Sequence, residues 1–370
     1  MINSASVPNA LPAIRESAPR FHLGYRPWLD GLRGLAIVAV MAYHYAPRFL
    51  PHGYIGVDLF FVISGCLITT LLLEEWQATQ KINFRHFYLR RMLRLFPALA
   101  VMLLASLILM YLFPYVGQQY RSVLYAAFYA INWFMAFNPD AVSSLLHITW
   151  SLSIEEQFYI VWPITVYCLL RCRVRPMMLL GILIALLTAV CIHKTVLISH
   201  GAPVIRVAHG SDTRIDGLII GCCVGVLASS GMVSRIARWV SASLGPLLLV
   251  FVTYMMGIIA PYGFGLTIVN LFFAALLIVL LATGPTTSVL AGFLSARPLL
   301  WLGKLSYSLY LWHIIARLAA RSLFKDAGLV FLCSITLALL MAAISYYLIE
   351  RPFLKLKKRF HEPMKTISTD

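Results

Sequence analysis

Arg33 and His44 share one apolar run, which opens Gly31-Leu32-Arg33-Gly34 and closes Ala42-Tyr43-His44. Placing an Arg in hydrocarbon costs roughly 2.5–3.5 kcal/mol, so a guanidinium and an imidazole in one membrane-length segment need a reason to be there. Eleven residues at ~100° each return His44 to within about 20° of the face of Arg33, some 16 Å farther along the axis. Two such groups on one stripe point to an interior site or pathway, or to an Arg that snorkels to the interface above a His satisfied by a backbone carbonyl.

The next apolar run begins Gly56-Val57-Asp58 and continues through Ser64-Gly65-Cys66, which places Asp58 across a short turn from His44. A carboxylate beside an imidazole fixes its tautomer and raises its basicity. An Asp here is also a favourable anion at a helix N-terminus. Ser64 and Gly65 suit close helix packing better than nucleophilic attack. Farther on, Arg90 and Arg91 stand three or four residues before Arg94, so their guanidiniums share a helical face. Planar guanidinium forks match phosphate oxygens, although basic residues also anchor helices at the inner interface.

Glu155, Tyr159 and Trp162 recur at helical spacing, and Gln157 lies in the same run. Glu155 and Glu156 cannot both face lipid cheaply, so Glu155 is expected to turn inward, toward His44 or toward an Arg. Asp212, Arg214 and Asp216 form a charged cluster that reads as an acceptor-binding group or a structural salt-bridge group. Ser306, Tyr310 and His313 fall on one face of a later run, where a polar stripe also serves as packing glue. Glu350-Arg351-Pro352 reads as an interface anchor.

These residues must be positioned by a membrane bundle. The chain has 370 residues, 61% of them hydrophobic and 12% charged, with a mean hydropathy of +0.83. Soluble domains carry roughly 25% charged residues. The net charge of +16 fits Lys/Arg-rich cytoplasmic loops facing anionic lipid, with no nucleic acid as partner. The seven cysteines show neither metal-ligand spacing nor a disulfide framework. Residues 1–27 read as a polar cytoplasmic tail without the pattern of a signal peptide, 28–353 as one membrane domain and 354–370 as a basic cytoplasmic tail.

Eleven apolar stretches lie between residues 28 and 349. Five basic segments can all be cytoplasmic only if the stretch 121–137 does not cross. The expected fold is therefore an all-α polytopic membrane protein, a bundle of about ten transmembrane helices plus one short re-entrant or outward-side helix. Both termini are then cytoplasmic. Arg317, Arg321 and Lys325 fall on the outer side, against the usual charge bias.

The ordered set of motifs closely resembles the membrane acyltransferase-3 family over roughly residues 28–353. It comprises Arg33 and His44 at their spacing, the segment 56–65, Arg91 with Arg94, the run 150–159, the run 306–313 and Glu350-Arg351-Pro352. The resemblance implies an integral-membrane O-acyltransferase in a bacterial inner membrane, moving an acyl group, acetyl first, from a coenzyme A thioester to a hydroxyl. The acceptor it implies is a surface or lipid-linked carbohydrate such as a polysaccharide or lipopolysaccharide. No permanently bound cofactor is implied.

On this reading His44 is base or acyl carrier, with Asp58 or Glu155 orienting it. Arg33, Arg90, Arg91 and Arg94 hold the donor. Ser64, Gln157, Tyr159, Asp212, Arg214, Asp216, Tyr310 and His313 support or bind the acceptor. Cys66 stands where the family commonly has Phe. The lack of a hydrolase-like domain after residue 353 counts against peptidoglycan as acceptor. A small-molecule acceptor and a proton-coupled secondary transporter are the alternatives, the latter weakened by the lack of inverted repeats.

Overall fold

The computed structural model describes residues 22–113, 119–138, 140, 142–255, 264–283 and 288–357. The expected tails thus fall largely outside the described residues, as do residues 256–260 of the apolar stretch 243–260. Among the described residues every regular element is helical. The first half of the chain forms α1 (Pro27–Tyr45), α2 (Ile55–Thr79), α3 (Phe84–Leu112), α4 (Arg121–Ala127), α5 (Ile131–Phe137), α6 (Thr149–Arg171) and α7 (Pro176–Ser199). Next come α8 (Val204–His209), α9 (Ser211–Arg214), α10 (Asp216–Ser229), α11 (Val233–Met255) and α12 (Leu266–Ala282). The chain continues with α13 (Val289–Leu294), α14 (Arg297–Leu323), α15 (Ala327–Ile344), a π-helical turn Ser345–Glu350 and α16 (Arg351–Lys357).

Four of these are long and apolar enough to cross a bilayer: α2, α3, α7 and the continuous stretch Ala327–Leu356. Their starts follow local rules. Asn83 caps α3 by accepting from the His86 amide, Asp326 caps α15 by accepting from Leu329, and prolines open α1, α7 and α14. Exposed Leu104 and Ile108 on α3, Ile160 and Ile164 on α6, and Ile184 on α7 present apolar flanks. A bilayer would cover them, since every backbone group there is satisfied within the helix.

Close backbone approach sets which helices are neighbours. A Cβ on Gly65 of α2 would lie 2.1 Å from the Leu218 carbonyl oxygen of α10, and one on Gly303 of α14 only 1.9 Å from that of Asp30 on α1. Glycine lets these helix pairs touch along their backbones. The α2–α10 contact fixes the outer ion pairs described below, and the α1–α14 contact brings the ends of those two helices together.

The stretch 121–137 is two helices rather than the single one expected. Each of α4 and α5 has 7 residues and so rises about 10 Å, far short of the ~30 Å hydrocarbon thickness. The chain turns between them at Tyr129, whose φ is 52° and whose carbonyl accepts from Gln157 Nε2 at 2.7 Å. At the other end of the chain, Glu350 does more than anchor an interface: it is buried and accepts from the Ser308 hydroxyl on α14.

Candidate active site

A cleft of about 730 Å³ opens among α1, α2, α3, α6 and α14. Arg33, Arg91 and Arg94 line it together with Ser64, Glu155 and Tyr159, and with Ser306 and Tyr310 along α14. Because α3 begins at Phe84, Arg91 and Arg94 sit on the same helix as the apolar segment that follows and enter the bundle one turn apart. The Arg91 guanidinium stacks 4.1 Å from the centre of the Tyr159 ring, a cation–π contact that holds it in place. Glu155 Oε1 accepts from both the Ser64 and the Tyr159 hydroxyls. Three guanidiniums therefore line the cleft with one carboxylate, itself engaged by hydroxyls, while Glu156 and Glu350 lie within electrostatic range of the arginines but outside the lining. None of the three makes an ion pair among the described residues. Such a cleft is complementary to an anion.

His44 lies outside the cleft lining, at the far end of α1 from Arg33. Its Nδ1 stands 2.9 Å from the Val40 carbonyl oxygen and 3.2 Å from Nε2 of His313. His313 is fully buried, and its own Nδ1 is 2.8 Å from the Tyr310 carbonyl oxygen. A carbonyl can only accept, so in the neutral rings each Nδ1 carries the proton. His44 then shares its Nδ1–H between Val40 and His313, and its lone pair is on Nε2. That is the arrangement a general base or acyl carrier requires. Tyr45 steadies the pair by donating to the His313 carbonyl at 2.8 Å. The stripe Ser306–Tyr310–His313 on α14 thus leads from the cleft to the imidazole pair.

The expected orienting carboxylates are elsewhere. Asp58 is fully buried and turns to α9, where its Oδ1 meets Arg214 Nη2 at 3.0 Å. The reason is the face it occupies: the start of α2 packs on α1 through Gly56, whereas Asp58, two residues on, shares the face of Gly65 that packs on α10. Glu155 turns inward as expected, but to Ser64 and Tyr159. Ser64 spends its hydroxyl on that carboxylate, while its neighbour Gly65 does the packing.

Asp212, Arg214 and Asp216 each turn to different partners, which favours the structural reading of the cluster. Arg214 takes Asp58, and Asp216 takes Lys194 at 2.8 Å and the Thr267 hydroxyl at 2.7 Å. Asp212 takes Arg206 at 2.8 and 2.5 Å, and His193 at 2.8 Å. Burial alone would raise the Asp212 carboxyl, yet the bonds from Arg206 and His193 outweigh it and hold it below its ordinary value. Gln157 joins none of these groups. It bridges Tyr129, Asn132 Oδ1 at 2.9 Å and Ser211 Oγ at 2.5 Å, tying α5, α6 and α9 together. Arg90 does not line the cleft.

Two partnerships escape a reading of the residues alone. His313 was visible as part of a polar stripe, but its pairing with His44 depends on α1 lying against α14. Lys194 falls one residue beyond the apolar stretch 177–193. Its burial against Asp216 follows because α7 runs on to Ser199.

A family model described as an acyltransferase domain matches residues 26–350. O-acetyltransferase OatA of Staphylococcus aureus (strain NCTC 8325 / PS 47) is 35% identical over 360 residues, covering 90% of this chain and 57% of that protein. Peptidoglycan O-acetyltransferase OatA of Listeria monocytogenes is 35% identical over 308 residues, covering 80% of this chain and 50% of that protein. The putative peptidoglycan O-acetyltransferase YrhL of Bacillus subtilis is 32% identical over 359 residues, covering 90% and 55%. The chain thus spans about half the length of these relatives. The expectation against peptidoglycan draws no support from them, since two carry that acceptor in their names. No solved structure matches the chain. With a match over nearly its whole length, the chain belongs to the membrane acyltransferase-3 family.

Proposed function

We propose that this protein is an integral-membrane O-acyltransferase, moving an acyl group, acetyl first, from a coenzyme A thioester to a hydroxyl of a surface or lipid-linked carbohydrate. Ten helices cross a bacterial inner membrane in this reading (α1, α2, α3, α6, α7, α10, α11, α12, α14 and α15), and both termini are cytoplasmic. The donor enters from the inner side, where Arg33, Arg91 and Arg94 take its phosphate oxygens. Arg90 stays outside the cleft, as an anchor near the inner interface.

His44 acts at the outer end. As general base, its Nε2 takes the proton of the acceptor hydroxyl while that oxygen attacks the acyl carbon. The carbon–sulfur bond then breaks, and the proton passes to the leaving thiolate. As transient carrier, the same nitrogen would hold the acyl group between two transfers. Arg33 and His44 stand about 16 Å apart along α1, so the donor's pantetheine arm or a relay must span that distance.

The observation that carries this reading is the His44–His313 pair at the head of a polar stripe leaving a cleft of unpaired guanidiniums. The names of the relatives add weight to acetyl as the group moved and to a cell-wall carbohydrate as acceptor. The test is acyl transfer by His44→Ala in folded, membrane-inserted protein. A fall of about a hundredfold or more is expected, the usual scale for a lost general base, and undiminished transfer would remove the role. Mass analysis of surface glycans with and without the gene would identify the acceptor.

A further inference from the structure

Several buried polar side-chain atoms have no hydrogen-bond partner among the described residues, including those of Trp28, Asn270, Ser306, Trp312 and Ser345. Of these, Ser306 alone lines the cleft. It is 1% exposed, so its hydroxyl is stripped of bulk water and left unsatisfied, which disfavours the folded state unless a ligand completes it. Its neighbour Ser308, two residues on, shows the ordinary alternative, with its hydroxyl bonded to Glu350. Packing glue therefore describes Ser308 and does not describe Ser306.

The position of Ser306 says what the missing partner is. The guanidiniums of the cleft suit anionic oxygens, and Glu155 Oε1 is already engaged by Ser64 and Tyr159. Ser306 adds a neutral donor in a poorly solvated place, matched to an uncharged oxygen that only accepts. Along α14 it lies one turn from Tyr310 and two from His313, between the cationic wall and the imidazole pair. That is where the acyl group of a thioester must pass.

We infer that the Ser306 hydroxyl donates to the carbonyl oxygen of the acyl group while the donor occupies the cleft. The inference rests on the acyl-transfer reading above and adds a residue that binds the group being moved.

The test measures thermal unfolding of the purified full chain, alone and titrated with acetyl-coenzyme A or free coenzyme A. Ser306→Ala should unfold at or above the wild-type temperature, because it removes an unsatisfied group, whereas Ser308→Ala should unfold lower. Ser306→Ala should bind free coenzyme A as the wild type does and acetyl-coenzyme A roughly two- to twelvefold more weakly, the scale of one hydrogen bond. Ser306→Cys, nearly the same shape with a weak donor, should lie between and serves if the alanine variant misfolds. A lower unfolding temperature for Ser306→Ala, equal weakening of both ligands, or no weakening would overturn the inference. A wild type that binds neither ligand would instead remove the acyl-transfer reading on which it stands.

Discussion

Around the starts of α9 and α10 each buried carboxylate meets a cation, Asp58 with Arg214 and Asp216 with Lys194, whereas the cleft leaves three guanidiniums facing one engaged carboxylate. Both regions bury ionisable side chains from several helices, and a count of such residues would rank them equally. They differ in how the charges are arranged. In the ion-pair region each carboxylate sits directly on a cation, and Thr267 donates a further bond to Asp216. In the cleft the guanidiniums make no direct ion pair among the described residues, although Glu156 and the buried Glu350 lie within electrostatic range of them, and the Ser306 hydroxyl lacks a partner. Direct pairs hold a fold together, and a cleft lined by guanidiniums is open to completion by an anionic ligand.

This contrast can be broken most directly at Arg214. Arg214→Ala leaves Asp58 buried and unpaired, and is expected to destabilise the protein by about 3–5 kcal/mol. Removing both charges in Asp58→Asn/Arg214→Gln should cost much less than Arg214→Ala alone, as unfolding of the purified variants would measure. A double variant worse than the single would mean that these charges do something beyond pairing. In the cleft the order reverses. Arg94→Gln should change stability less than Arg214→Ala, since the repulsion from Arg33 and Arg91 that it relieves offsets the attraction to Glu155, Glu156 and Glu350 that it loses, yet weaken coenzyme A binding by roughly tenfold or more, the value of one charged hydrogen bond. Arg91→Lys should weaken the donor less than that, by losing the fork and the stacking on Tyr159. Unchanged donor affinity in both would return the arginines to membrane anchoring.

The smallest effect belongs to Asp212, which is paired outside the spans. Asp212→Asn should change stability by roughly 0–1 kcal/mol. The carboxyl is held low in the folded state, so its contribution is present above the unfolded carboxylate value and is lost as pH falls through the folded one. The difference in unfolding temperature between wild type and Asp212→Asn should therefore shrink on acidification and persist at neutral pH.

Much of this arrangement was legible in the residues. The run 306–313 shows its stripe because helical spacing needs no knowledge of neighbours, and Arg91 with Arg94 shares a face for the same reason. Glu155 had to turn inward, and it does. What the residues could not disclose was which helices touch. Asp58 is near His44 along the chain, but it lies on the face of α2 that Gly65 packs against α10 and not on the Gly56 face that meets α1, so it reaches Arg214. His313 is far from His44 in sequence, but Gly303 seats α14 on α1 and brings the rings within 3.2 Å. The break at Tyr129 was hidden because hydropathy averages over a stretch and does not register a single reversed residue.

The most direct measurement sets His44→Gln beside Asp58→Asn, comparing thioester consumption per folded molecule in the presence of a hydroxyl acceptor. The expected result is a stable but inactive His44→Gln, and an Asp58→Asn that yields less folded protein of near wild-type activity. A folded, inactive Asp58→Asn alongside an active His44→Gln would contradict the account.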